Sequence, residues 1–355
     1  MRKTLVTLSL ASGLLLSLVP AIASAQYVGT PNGKIYFASA DRTDILKSNF
    51  DGTNLQPVLS TADPISVPVV SKDGSRIAYS HSSGSNVGLW VVDVNGLNNH
   101  RVTSVSGDHN PIWSPDATKL YFDNAGTILS VNSDGSDGRT SLLTAGLHND
   151  ITYNFYEPSV SPNGLKLAVI GVNQSSFRGD VFTFSIANDA DLTNVSTNAV
   201  KDANTGNTTS SLWVDYSPDG TQLAVANYID ADGSDSTRVV KLPVAGGAYT
   251  NVLSSIVDGD GSNWYYSEAH WSPVGDMMIT HRNETQGSDT AHTRGLRDSG
   301  AQDFRGLRTV SSTNPDPSTG FTDLLLGEVG PAWWTVGTAP VVVVTPGLPN
   351  VGSVK

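Results

Sequence analysis

Cysteine is absent from the 355 residues. That excludes disulfide staples, thiolate catalysis and cysteine-ligated zinc, so stability has to come from packing. Charge is also sparse: Asp, Glu, Lys and Arg make up 15% of the chain, and the balance is acidic, with a formal net charge of -12. Such a surface repels phosphate backbones and anionic lipid heads, which argues against nucleic acid as a partner. Helical periodicity is nearly missing. No Gly-x-Ser-x-Gly elbow, His-Glu-x-x-His pair, Walker-type loop or dinucleotide glycine fingerprint occurs, which removes the standard hydrolase and nucleotide readings.

Apolar runs of spanning length are missing after the first 25 residues, and those residues read as a secretory signal. Arg2 and Lys3 precede an apolar run from Leu5 to Ile22, and Ala23-Ser24-Ala25 forms a small-residue cleavage site before Gln26. Residues 1–25 are therefore expected to be removed, leaving a mature chain without a membrane span that is periplasmic or secreted. What the chain has in quantity is Gly, at 34 residues, together with Ser, Thr, Asn and Asp, the composition of short strands joined by many turns.

A repeat runs through those strands. Its clearest copy is Pro111-Ile112-Trp113-Ser114-Pro115-Asp116 followed by Lys119-Leu120-Tyr121-Phe122. Others begin at Pro68, Pro158, Val214 and Ala269, each leading through a Ser-Pro-Asp-Gly-like turn into a second β-rich run. Pro presets the turn backbone, Gly accepts positive φ, and the flanks are β-branched or aromatic, so each copy reads as strand, tight turn, strand. A second hairpin follows most copies, turning at Asp51-Gly52, Asn95-Gly96 or Asp134-Gly135, which makes a unit of four antiparallel strands. The units recur every 43 to 62 residues or so, the range of propeller blades with insertions.

The first unit opens at Lys34 without a leading strand, and Gly330-Pro331-Ala332-Trp333-Trp334 is a leading strand with nothing after it. The two ends complement each other. The expected fold is all-β, a six-bladed β-propeller of four-stranded antiparallel blades over residues 26–335, closed by the C-terminal strand. Residues 336–355 are expected to form an extended tail.

These copies of the Pro-x-Trp-Ser-Pro-Asp-Gly turn resemble the repeat of the TolB-like propellers, a WD-repeat-like family, from about residue 33 to 335. The resemblance implies an exported binding module, monomeric, whose partner is an envelope or extracellular protein associated with peptidoglycan. TolB proteins carry a separate domain before the propeller, whereas about eight residues separate Gln26 from the first strand here.

Loop lengths are expected to be unequal between the two faces. The Ser-Pro-Asp-Gly and Asn-Gly turns fall on one face, and the long segments 144–155, 197–211, 254–267 and 282–304 fall on the other. On that loop-rich face the positions before each leading strand ring the channel mouth. His109, Asn110, Tyr156, Glu157, an exposed Trp213 and Glu268 are the candidate binding residues, suited to a cation or a basic partner segment. No catalytic residue is assigned and no cofactor is implied. Calcium is left open at the acidic glycine-rich runs 230–235 and 258–261, while 132–137 reads as a hairpin turn.

The leading function is a protein-binding or scaffold module of the cell envelope. The competing reading is a propeller-type polysaccharide lyase or other carbohydrate-active enzyme with a metal in the channel, which requires histidines to converge. His109 is the one histidine at the mouth, and the enzyme reading would have to recruit His292, Arg294 and Arg297 from the long sixth insertion. A sensory ectodomain is a third reading, weakened by the missing anchor.

Overall fold

A computed structural model of the chain describes residues 34–39, 42–49, 54–66, 68–196, 208–230, 236–254, 263–266, 269–271, 277–285, 305–311, 321–324 and 329–334. The expected signal segment, the tail, Glu268, the calcium candidates at 231–235 and 258–261, and His292, Arg294 and Arg297 lie outside the described residues. Everything regular among the described residues is β-strand.

The strands form six antiparallel sheets. The first contains β1 (Lys34–Ser39), β2 (Asp44–Asn49) and β3 (Gln56–Ser60). The second is β4 (Val69–Val70), β5 (Arg76–His81), β6 (Gly88–Asp93) and β7 (His100–Arg101). The third is β8 (His109–Trp113), β9 (Lys119–Asn124), β10 (Thr127–Asn132) and β11 (Thr140–Leu143). The fourth is β12 (Gly146–His148), β13 (Ile151–Val160), β14 (Lys166–Asn173), β15 (Gly179–Ser185) and β16 (Asn188–Asn194). The fifth is β17 (Thr208–Tyr216), β18 (Gln222–Asp230), β19 (Ser236–Pro243) and β20 (Thr250–Ser254). The sixth holds β21 (Asn263–Tyr266), β22 (His270–Trp271), β23 (Met277–Thr285), β24 (Arg305–Ser311) and β25 (Phe321–Leu324). The last strand, β26 (Val329–Trp334), returns to the first sheet and pairs with β1, placing Trp334 opposite Ile35, Trp333 opposite Tyr36 and Ala332 opposite Phe37.

The leading strands touch in turn, β4 on β8, β8 on β13, β13 on β17, β17 on β22, β22 on β26 and β26 on β4. Sheets so arranged face one another like propeller blades, and the core lies between them. One apolar cluster runs from Val69 and Leu89 through Trp113 and Phe122 to Phe155 and Phe182. A second joins Ile170 and Val181 to Val214 and Val225.

The turn chemistry explains why the repeat is written with Ser and Asp. Ser71, Ser114, Ser161 and Ser217 each donate their hydroxyl to the side-chain oxygen two residues on, at 2.6, 2.6, 2.8 and 2.6 Å. Each also accepts the backbone N–H five residues on, at 2.9 to 3.0 Å, so one hydroxyl closes both strands of the hairpin. Gly74, Gly164 and Gly220 have φ of 71 to 73° in these turns, and Ala117 takes the same left-handed place at 57°.

Two expectations need correction. Segment 144–155 is not a loop: β12 and the start of β13 form a hairpin across Asn149-Asp150, with φ of 48° and 64°, so the fourth sheet has five strands. Asn and Asp accept the left-handed pair that a tight hairpin turn demands. Burial of Tyr153 and Phe155 against Phe182 fixes the extended strand. Segments 197–211, 254–267 and 282–304 likewise contain strand where they are described, at 208–211, 263–266 and 282–285.

Candidate functional site

The leading strands are interrupted where they enter the sheets. Register shifts fall between His109 and Ile112 in β8, between Tyr156 and Ser159 in β13, and between Ser211 and Trp213 in β17. Asn110 and Glu157 sit in the first two shifts, both with φ of 52°. Asn tolerates the left-handed region, whereas Glu there carries a strain of roughly 1–2 kcal/mol that neighbouring contacts must hold. Pro111 and Pro158 follow directly, and having no N–H they leave no unpaired ladder donor where the strand bulges.

A buried carboxylate, Asp123 on β9, anchors both bulges. It meets His109 Nδ1 at 2.8 Å, accepts Asn110 Nδ2 at 3.0 Å and accepts the backbone N–H of Glu157 at 3.1 Å. Burial works to lower the His109 pKa, but the Asp123 hydrogen bond and the charges of Asp123 and Asp108 outweigh it and leave it raised. Asp108 is buried beside this group and is neutralised by Arg139 at 2.8 Å.

Asn110, Glu157, Trp213, Asp215 and His270, with Val69, line a small concave pocket. They come from the leading strands of the second to sixth sheets. Asp215 ties three of those sheets together: it accepts the Ser159 hydroxyl at 3.0 Å and the backbone N–H of Trp271 at 3.0 Å, and its carboxylate lies 3.9 Å from His270 Nδ1. Burial raises the Asp215 pKa, against the pull of His270 and these hydrogen bonds. Burial also pushes the Tyr216 hydroxyl up to about 12. His270 is buried and stands edge-on to Trp213, with ring centroids 5.0 Å apart.

Of the sequence-predicted residues, the structure brings Asn110, Glu157 and Trp213 into one pocket and places His109 beside it on Asp123. Tyr156 is half-buried, outside the pocket lining, with its hydroxyl accepting Asn154 Nδ2 at 3.2 Å. Trp213 was expected to be exposed and is instead half-buried. Packing against the core cluster and His270 covers the ring, and its Nε1 is buried with no hydrogen bond among the described residues. Sequence reasoning missed Asp123, Asp215 and His270 as parts of the site. Their signal was a polar residue at a strand position that some copies fill with an apolar one, Val69 and Ile112 where Asp215 and His270 stand, Ile170 and Ala226 where Asp123 stands.

The remaining histidines with described side chains are used elsewhere. His81 is buried against Tyr79 and Trp90, His100 meets the Asn98 and Ser133 carbonyls, and His148 packs on Phe182. Among the described residues no group of three His, Cys, Asp or Glu converges on a metal position. The 132–137 run is the hairpin turn expected, its Asn132 amide donating to Ser136 and Asp137 at 2.9 Å each.

His109 gives the site a pH dependence. Its folded pKa is raised, so its pairing stabilises fully below the unfolded value and is lost as pH rises through the folded one. Wild type should therefore lose stability relative to His109→Gln as pH rises from the ordinary histidine value of 6.5 through the raised folded one, read as urea midpoints.

No family model matches the chain. Sequence comparison finds the Tol-Pal system protein TolB of Francisella tularensis subsp. mediasiatica (strain FSC147), 25% identical over 246 residues, 69% of this chain and 52% of that protein. The counterpart from subsp. tularensis (strain SCHU S4 / Schu 4) is again 25% identical over 246 residues, 69% of this chain and 51% of its own. The chain thus spans about half the length of these curated relatives. In fold it is similar to TolB from Acinetobacter baumannii, with a TM-score of 0.60 at 17% identity over 86% of this chain and 67% of that one. It also matches a putative TolB from Agrobacterium tumefaciens, with a TM-score of 0.55 at 16% identity over 86% of this chain and 95% of that one. Repeat, sheet topology and sequence likeness agree: the chain is similar to the TolB-like β-propellers.

Proposed function

We propose that this chain is an exported, six-bladed propeller that binds an envelope protein across its channel mouth. In this reading residues 1–25 are a cleaved signal, 26–335 form the ring and 336–355 a tail, and the mature protein is periplasmic. The pairing of β26 with β1, together with the cycle of contacts between leading strands, supports six blades and a closed ring. The observation that carries the binding site is the pocket where four leading strands bring Asn110, Glu157, Trp213, Asp215 and His270 together. It offers two half-buried groups, the Glu157 carboxylate for a basic side chain and the Trp213 ring for an apolar one, a mixture that suits a peptide segment. The relatives' place in a Tol-Pal system makes a peptidoglycan-associated lipoprotein the first partner to try.

Isothermal calorimetry of the mature protein with the soluble domain of such a lipoprotein tests this. Glu157→Ala combined with Trp213→Ala should weaken binding at least tenfold, since truncating anchors of this kind costs about 1–3 kcal/mol or more. Equal affinity of wild type and double variant would remove the pocket from the interface.

A further inference from the structure

Asp123 lies one strand out from the channel, on β9, with no exposed surface. Its place in the repeat is held by Ser80, Ile170 and Ala226 in the other hairpins, so the architecture itself does not call for a carboxylate there. We infer that Asp123 is the positioning residue of the channel mouth, holding His109, Asn110 and the Glu157 backbone in the shape that meets the partner. This rests on the binding site proposed above.

Each of its oxygens has a task. Oδ1 faces His109 Nδ1, which leaves Nε2 as the imidazole nitrogen available to a ligand. Oδ2 takes both the Asn110 amide and the Glu157 N–H, the two bulge residues in left-handed conformation. Three donors converge on one carboxylate, and an ionised acceptor binds such donors more strongly than an amide does. Asparagine at this place would turn its NH₂ group toward His109 Nδ1, which can accept it only as the neutral Nε2–H tautomer, so the protonated ring loses its partner. The charged groups near His109 are Asp123 from β9 and Asp108 from the segment before β8, with Arg139 neutralising the latter.

The test compares labelled wild type with Asp123→Asn by NMR titration of the His109 ring and by exchange of the Glu157 amide. The wild-type His109 midpoint should lie above the ordinary histidine value and drop by about one unit in the variant. Exchange at Glu157 should rise roughly tenfold while amides in the fifth sheet keep their protection. Affinity for the lipoprotein domain should fall about tenfold. An unchanged His109 midpoint with unchanged Glu157 exchange would overturn the inference. Should Asp123→Asn fail to fold, a wild-type His109 midpoint at or below the ordinary value overturns it instead. If wild type has no affinity for the lipoprotein, the partner reading falls, and the titration and exchange still decide the role of Asp123.

Discussion

A chain ending at Glu328, and so lacking β26, is expected to lose cooperative unfolding. β1 lies between β26 and β2, and its Ile35, Tyr36, Phe37 and Ala38 are all buried. Removing β26 strips the ladder from one edge of β1 and opens the contacts of β26 with β22 and β4 on either side. A large apolar side chain returned to water costs about 1.5–3 kcal/mol, and three of them approach the whole stability of an ordinary domain. Edges left unpaired in this way also recruit other chains, so association should accompany the loss. The measurement is denaturant unfolding followed by both tryptophan fluorescence and circular dichroism. A single transition at the wild-type midpoint would show that β26 is dispensable and that the sheets do not need the ring.

Asp215→Ala is expected to destabilise the fold by about 3 kcal/mol, since each buried donor left without its acceptor costs roughly 1–3 kcal/mol. Two donors depend on it, the Ser159 hydroxyl of the fourth sheet and the Trp271 N–H of the sixth, so the loss propagates across three sheets. Asp215→Asn should cost about 1 kcal/mol or less, because its remaining oxygen can still accept. The sign of the pH effect follows from burial. A carboxyl with a raised folded pKa stabilises when protonated, and that contribution is lost as pH rises from the ordinary value of 3.8 through the folded one. Wild type should therefore weaken relative to Asp215→Asn across that acid window, with urea midpoints as the readout. A cost for alanine no larger than that for asparagine would mean that the three-sheet tie contributes nothing.

How much of this could be read from the sequence depended on whether a feature repeats. The Ser-Pro-Asp-Gly turns are local chemistry, and a hydroxyl that bonds two and five residues on leaves its mark at fixed spacing, so Ser71, Ser114, Ser161 and Ser217 announce their hairpins. The return of Trp333 and Trp334 to β1 was legible for a similar reason, as a repeat cut in two by the chain ends. The β12 hairpin was not, because it belongs to one sheet alone and its Asn149-Asp150 turn sits in a stretch that reads as an insertion. Asp123 and Asp215 were hidden by distance. Asp123 holds a backbone N–H that is 34 residues away in sequence, and Asp215 one that is 56 residues away. Pairings set by the packing of neighbouring sheets have no fixed spacing to betray them. Trp213 misled for the converse reason, since a position at the channel mouth suggested exposure while His270, from the next sheet, covers the ring.

Hydrogen exchange of the mature protein with and without a bound lipoprotein domain tests the central claim directly, because it reports where the partner sits. Binding at the channel mouth predicts slowed exchange at Asn110, Glu157 and Trp213, with the turns around Gly74, Gly164 and Gly220 unaffected. Protection confined to those turns, with no change at the three mouth residues, would place the partner on the opposite face and contradict the account.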